Sequence, residues 1–401
     1  MNNNTITSPK GFLAIGLGCG IKQSGKPDLA LLCCPDGAAA AAMFTTNKIV
    51  SAAVLVCKEH FASAAKVGAV VVNSGNANAC TGAKGLAAAK AMCAKTAKEL
   101  AIKPEQVLLA STGIIGHQLP IKKIAVGIAV AAKKLSASPA AGLAFCRAIM
   151  TTDTRPKYAV STVKISGKTV RIAGAVKGAG MIGPNLATTI AVLTTDAAIT
   201  KPMLRRAFKN AVGNSLNKLT VDGHQSTNDT AIILASGKAG NKLIAKPNAG
   251  FGRFEKALCE ICTDLVCQMA LDAEGATRMF TVIVQNAASK QQAQQAARAV
   301  ADYDLVKCAV HGADPNWGRI ICAVGSAGVK LNPDKISCKI GSATVFKNGK
   351  PAKFDPKKVS RIIAGKHHTI IVSLGAGKSR DFCCGCDLSA KYVSINADYH
   401  T

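Results

Sequence analysis

The stretch Lys177-Gly-Ala-Gly-Met-Ile-Gly-Pro-Asn-Leu-Ala-Thr188-Thr-Ile-Ala-Val-Leu-Thr-Thr-Asp-Ala-Ala-Ile199 decides how the rest of the chain is read. Residues 169–176, just before it, read as a β-strand. Residues 188–195 are dense in β-branched side chains and read as a second strand, buried on both faces. The glycines and Pro184 between them exclude a helix. The stretch contains a G-x-G-x-x-G, Gly178 to Gly183, with Asp196 about 20 residues further on, where a ribose-binding acid would stand. A dinucleotide site, however, needs a helix to open at those glycines and present its N-terminal amides to the pyrophosphate. A proline and a strand follow instead, so that reading lacks its structural context.

The second reading of the stretch concerns Thr188, at the mouth of the second strand. A threonine hydroxyl is a poor nucleophile without a base beside it. If the chain were cut before Thr188, the new α-amino group, with a reference pKa of about 7.7–8.0, could serve as that base on the same residue. A threonine at a strand start is otherwise ordinary.

Composition bounds the remaining possibilities. The chain has 401 residues, enough for one large domain or two ordinary ones, and 49% of them are hydrophobic. Aromatics are only 4%, so Ala, Val, Ile and Leu must fill the core. The formal net charge of +28 raises nucleic acid as a partner. Yet the basic residues are scattered, form no tail, and have few aromatics among them for base stacking, which favours a solvated basic surface. The 16 cysteines, with no secretory leader and no apolar run of membrane-spanning length, point to a cytosolic protein with free thiols. Cys259/Cys262 and Cys383/Cys386 form two C-x-x-C pairs that could in sum ligate zinc. The first pair falls on an amphipathic helical stretch, 254–271, and the pairs are far apart, so no metal site is expected.

Further strands are expected at 68–73 and 107–110. Helices are expected at 83–101, 121–135, 139–150, 200–214, 254–271 and 289–301. Thr200 reads as an N-cap with Pro202 in the first turn, and Asp314-Pro315 reads as the start of another helix. Residues 73–82 form a turn cluster rich in side-chain amides.

The segment Lys177 to Ile199 resembles the self-cleavage segment of the ornithine acetyltransferases, the glutamate N-acetyltransferases of the ArgJ family. The resemblance runs along nearly the whole chain. It includes Gly11–Leu32, Met43-Phe-Thr-Thr-Asn47, Asn73–Gly82, Ser111-Thr-Gly-Ile-Ile-Gly116 and Met150-Thr-Thr-Asp-Thr-Arg-Pro-Lys157. Further matches are Asp272-Ala-Glu-Gly-Ala-Thr-Arg278, Val310-His-Gly-Ala-Asp-Pro-Asn-Trp-Gly-Arg-Ile320 and the terminus Asp387–Thr401.

The resemblance implies an α/β fold of layered sheets and helices, DmpA/ArgJ-like and of the amino-terminal-nucleophile type. It implies scission between Ala187 and Thr188 into chains 1–187 and 188–401, with Thr188 the nucleophile and Thr189 a neighbouring candidate. Thr112 and Gly113 would form an oxyanion hole, the fixed donors that a tetrahedral intermediate requires. Thr151 or Thr152, Lys177, Glu274, Asn396 and Thr401 would contact substrate. The implied reaction is acetyl transfer from N-acetylornithine to glutamate in arginine biosynthesis, by way of an acyl-Thr188. Acetyl-CoA is left open as a second donor, and a hydrolytic peptidase is the rival of different class. The expected assembly is two α and two β chains in the cytoplasm, without cofactor, metal, nucleic acid or membrane. Five positions depart from the family pattern: Gly183 for Ala and Leu186 for Met, both small changes, then His224 for Asp, Arg278 for Lys, and Ala273 for Gly, the last a source of strain if positive φ is needed there.

Overall fold

The computed structural model of the chain describes residues 4–183 and 189–398. Its first sheet is eight-stranded: β1 (Leu13–Leu17), β2 (Leu29–Phe44), β3 (Val67–Asn76), β4 (Val107–Ile114), β5 (Lys157–Ile165), β6 (Lys168–Lys177), β7 (Ile190–Thr195) and β8 (Thr230–Ala235). The order is β4-β3-β2-β8-β7-β6-β5, with β1 also paired to β2. β2 is the hinge of this sheet. Its first half, Leu29–Cys33, pairs with β1 and β3; its second half, Ala39–Phe44, pairs with β8. The change of partner falls at Pro35-Asp36-Gly37, where Gly37 takes φ +69° and no regular ladder can continue.

The two halves pack face to face. Alternate residues of β7 and β8 separate by side: Ile190, Val192, Ile232 and Leu234 share one core with Val70, Val72, Leu108 and Ala110. Ala191, Leu193, Ala231 and Ile233 join another core with Phe208, Phe254 and Leu258. This period of two is what a strand buried on both faces must show, and all of β7 is buried.

Helices close the outer faces. α1 (Ala52–Ser63), α2 (Gly82–Leu100), α3 (Ile121–Lys133) and α4 (Pro139–Ala148) cover the β1–β4 side. α5 (Lys201–Gly213) and α6 (Ala249–Leu271) cover the β5–β8 side. The result is a four-layered α/β/β/α lobe, the layered α/β fold that the sequence led us to expect.

A second lobe has its own core. A six-stranded sheet is built from β9 (Met279–Ala287), β10 (Ser337–Ile340), β11 (Ala343–Lys347), β12 (Lys350–Pro351), β13 (His367–Ser373) and β14 (Ser379–Cys386). α7 (Lys290–Asp302), α8 (Asp304–His311), α9 (Trp317–Gly325) and α10 (Pro356–Ile363) pack with it, and α11 (Ala390–Asp398) returns to the first lobe.

Three element expectations need correction. α6 begins at Ala249 rather than 254, because Asn248 accepts the Phe251 amide at 2.8 Å and caps a turn whose Gly250 and Gly252 disguise it in sequence. The cap of α9 is Asn316, which accepts from Arg319 N at 3.3 Å, so Asp314-Pro315 lies ahead of the helix. Residues 390–398, for which the sequence suggests no element, are helical. Among the described residues no helix is long and apolar enough to cross a membrane.

Candidate active site

The ends of the two sheet halves meet beside α11 and enclose a cavity of about 230 Å³. β3 and β4 run parallel and in register at Gly75 and Gly113. This brings Thr112 and Gly113 to one wall. Gly113 has φ +131°, and an added Cβ would lie 2.2 Å from the Gly75 carbonyl carbon, so no other residue fits here. β6 ends in Lys177 on the same cavity. The connection from α4 to β5 supplies Thr151 and Thr152, the turn after α6 supplies Glu274, and α11 supplies Tyr392 and Asn396. Asn228 links the two halves at this edge: its Nδ2 donates to Ala77 O at 2.5 Å and Ser111 O at 2.8 Å.

The charges of the site are held by side chains and backbone amides on its walls. Lys177 is only 2% exposed, and its Nζ donates to Thr112 Oγ1 at 3.3 Å. Burial pushes its ammonium down from the ordinary 10.5, with Asp153 opposing. Asp153 is buried as well. Burial would raise its carboxyl, but Lys157, Lys177 and the Gly178 amide overcome this and hold it at about 2. Asp229, which precedes β8, accepts Thr189 N at 2.7 Å. Burial raises its carboxyl well above the usual range, with that amide and Lys177 opposing. Asn396 Nδ2 donates to Glu274 Oε2 at 2.9 Å.

Glu274 has room only because residue 180 is glycine: a Cβ there would stand 2.2 Å from Glu274 Oε2. Asp222 accepts Met181 N at 2.7 Å, Ile182 N at 2.9 Å and Tyr392 OH at 3.0 Å. It thereby ties α11 to the segment that leads towards Ala187. Burial and the neighbouring Asp222 carboxylate push the Tyr392 phenol up.

The cavity brings together Thr112, Gly113, Thr151, Thr152, Lys177, Glu274 and Asn396, which the sequence scatters over almost three hundred residues. Both Thr151 and Thr152 line it. Ala187, Thr188 and Thr401 lie outside the described residues. Thr189 is described; it is 3% exposed, immediately before β7.

Lys177 departs from the usual solvated lysine because β6 carries it into the interior. The concern over Ala273 is answered by the backbone: the positive φ of that turn, +71°, falls on Gly275, and Ala273 is not among the left-handed residues. His224 is exposed on the cavity rim, its Nδ1 3.5 Å from Asp222. Arg278 donates to Val310 O at 3.0 Å, away from the cavity.

Asp196 is a structural acid that accepts Arg171 N at 2.7 Å, and no helix opens within residues 178–183. The C-x-x-C pairs lie apart, on α6 and β14, and burial raises Cys262 and Cys386 to about 12, away from the thiolate a metal needs. Among the described residues no group of three or more His, Cys, Asp and Glu could hold a metal ion.

Sequence reasoning missed Asp153, Lys157, Asp222, Asn228, Asp229 and Tyr392. Each is an ordinary polar letter in sequence, and only the contacts made in the folded chain reveal its work.

Comparison with known proteins gives a consistent result. The ArgJ family model matches residues 13–401. The arginine biosynthesis bifunctional protein ArgJ of Symbiobacterium thermophilum is 42% identical over 398 residues, covering 99% of this chain and 98% of its own. That of Caldanaerobacter subterraneus is 44% identical over 400 residues, with 99% and 98% covered. The crystal structure of the arginine biosynthesis bifunctional protein ArgJ from Bacillus halodurans is 39% identical, with a TM-score of 0.50. It matches over 97% of that chain and 51% of this one.

Proposed function

Since the chain belongs to the ArgJ family, and is thus an acyltransferase of arginine biosynthesis, we propose that it moves the acetyl group of N-acetylornithine to glutamate through an ester on Thr188. The observation that carries this is the single cavity on which Thr112, Gly113, Thr151, Thr152, Lys177, Glu274 and Asn396 converge.

In the precursor, Thr188 Oγ attacks the Ala187 carbonyl and the peptide bond becomes an ester. Water opens that ester, leaving a carboxylate on Ala187 and a free amine on Thr188. The amine then takes the proton of its own hydroxyl as Oγ attacks the acetyl carbonyl of N-acetylornithine. The C–N bond breaks, the proton passes to the departing amine, and ornithine leaves an acetyl ester behind. The glutamate amine attacks this ester, the C–O bond breaks, and Thr188 recovers its proton as N-acetylglutamate departs.

The Thr112 hydroxyl and the Gly113 amide face the developing oxyanion. Lys177 Nζ donates to Thr112 Oγ1, which leaves the Thr112 hydrogen free for that oxyanion. Lys177 and the Thr151–Thr152 turn suit the substrate carboxylate, and Glu274, oriented by Asn396, suits the α-nitrogen. Thr401 would complete the binding set. The 97%-against-51% match to the solved Bacillus halodurans chain is what a chain divided near its middle would give, and supports the cut.

Intact mass is the test. Fragments beginning at Met1 and Thr188 are expected from the wild type, with ping-pong kinetics. Thr188→Ala is expected to remain one inactive chain; a Thr188→Ala protein that still splits sinks the assignment. The word "bifunctional" in the relatives' names favours a second reading in which acetyl-CoA also donates. Acetylation of glutamate with acetyl-CoA as sole donor decides it. The proposed setting is the cytoplasm, as two α and two β chains.

A further inference from the structure

Lys157 opens β5 with its side chain in the interior, 1% exposed. Its Nζ is 2.5 Å from Asp153 Oδ1 and 2.5 Å from Asp272 Oδ2, and both carboxylates are buried too. Neither acid touches the cavity; Asp153 holds the backbone of Thr151, which does, and Asp272 stands two residues from Glu274, which does. Asp153 accepts Thr151 N at 3.0 Å and Gly178 N at 2.9 Å. Asp272 accepts Thr154 N at 3.2 Å and the Thr154 hydroxyl, and lies two residues before Glu274. One lysine therefore joins three segments that line the site: the Thr151–Thr152 turn, the loop leaving Lys177, and the turn bearing Glu274.

Ion clusters this deep are costly to desolvate, and an apolar replacement is often as stable. Stability alone is thus a poor reason for this one, whereas geometric constraint is a good one, because charged hydrogen bonds are short and directional.

We propose that Lys157 is a positioning residue, the pin of a buried Asp153–Lys157–Asp272 clasp that fixes the span between the carboxylate-binding turn and Glu274, so that one amino-acid backbone is gripped at both ends. This rests on the acetyl-transfer reading. The clasp also reaches Lys177 electrically. The charged groups facing Lys177 are Asp153 and Lys157 on this side, Glu274 and Asp229 across the cavity, and Lys22 from the loop after β1. Lys157 is one of those that hold the Lys177 ammonium down.

The experiment compares wild type with K157Q, K157R and T154V. Cleavage is checked by mass and folding by melting temperature, and KM and kcat for N-acetylornithine are followed from pH 6 to 10. In K157Q, KM is expected to rise about tenfold or more, the scale of a lost charge-assisted contact, with kcat within about threefold. The alkaline fall of 1/KM should move to higher pH, because a charge that depresses Lys177 is gone. K157R should restore both. T154V, which loosens only the Asp272 end, should raise KM about threefold and leave the pH limb in place.

A folded, cleaved K157Q with unchanged KM overturns the proposal, as does one that loses kcat alone. If K157Q does not fold, an unchanged KM in T154V overturns it. Should wild type itself fail to transfer acetyl, the functional reading falls. The clasp is then judged by the ratio of ornithine affinities of variant and wild type in calorimetry, with the same fold-changes expected and an unchanged ratio overturning it.

Discussion

Lys177 is a cation almost wholly withdrawn from water at the cavity wall, and its surroundings set when it is charged. Burial lowers its pKa, so a role that needs the ammonium fails as pH rises, earlier than for an exposed lysine. KM for N-acetylornithine, whose α-nitrogen does not titrate, should therefore climb on the alkaline side; in Lys177→Arg it should stay flat over the same interval. Thr112→Ala should lose about 10²–10³ in kcat if its hydroxyl serves the oxyanion, measured at saturating substrate, while Thr112→Ser keeps most of it. Asp153 has the opposite sign to Lys177. Its folded pKa of about 2 lies below the ordinary 3.8, so its contribution is fully present above about pH 4 and is lost as pH falls through 2. That contribution is on the order of 2 kcal/mol. Acid unfolding of Asp153→Asn should lack this part of the slope between pH 4 and 2. At this scale the sequence shows Lys177 and Thr112 through their motifs. It hides Lys157 and Asp229, because nothing in a letter says that a charge will be buried or what it will meet.

Among the α-helices of the described residues, α11 is the most lightly held. None of its residues is buried. It is anchored by Tyr392 on Asp222 and Asn396 on Glu274, with Ser389 Oγ on Gly275 O at 2.7 Å just ahead of it. Ending the chain at Ser389 should shift the melting temperature by no more than about 2 °C. The same truncation should raise KM by about tenfold or more, since a hydrogen bond to a charged group is worth about 1.5–3 kcal/mol. Steady-state kinetics beside a melting curve checks both halves of this expectation. β7 is legible in the sequence from its run of β-branched residues, and the body of α6 from its helical period. α11 was not, because it is short, lacks a buried stripe and draws its stability from the site it serves. The start of α6 is hidden by two glycines, and the cap of α9 by a more conspicuous Asp314-Pro315 pair just ahead of Asn316.

At the scale of the molecule, the layered α/β class could be read from the family pattern, but the division into two lobes could not. It depends on β9–β14 pairing into a sheet with its own core, and the two lobes are joined by contacts between residues far apart in sequence, such as the bridge of Leu219 to Cys384. The proposed cut also ignores the lobes. β7 and β8 would belong to the second fragment, yet they lie between β6 and β2 of the first. The fragments should therefore separate on a denaturing gel, co-elute in native buffer, and lose structure at one shared denaturant midpoint followed by fragment-specific probes. This interleaving also sets a chronology. Before β7 and β8 arrive, β2 and β6 face a gap with unsatisfied backbone on both sides, and a strand pair delivered separately would have no such gap held open for it. The proposed scission would then be an event in the life of an already folded chain, with synthesis in one piece serving as the mould in which the two halves are cast.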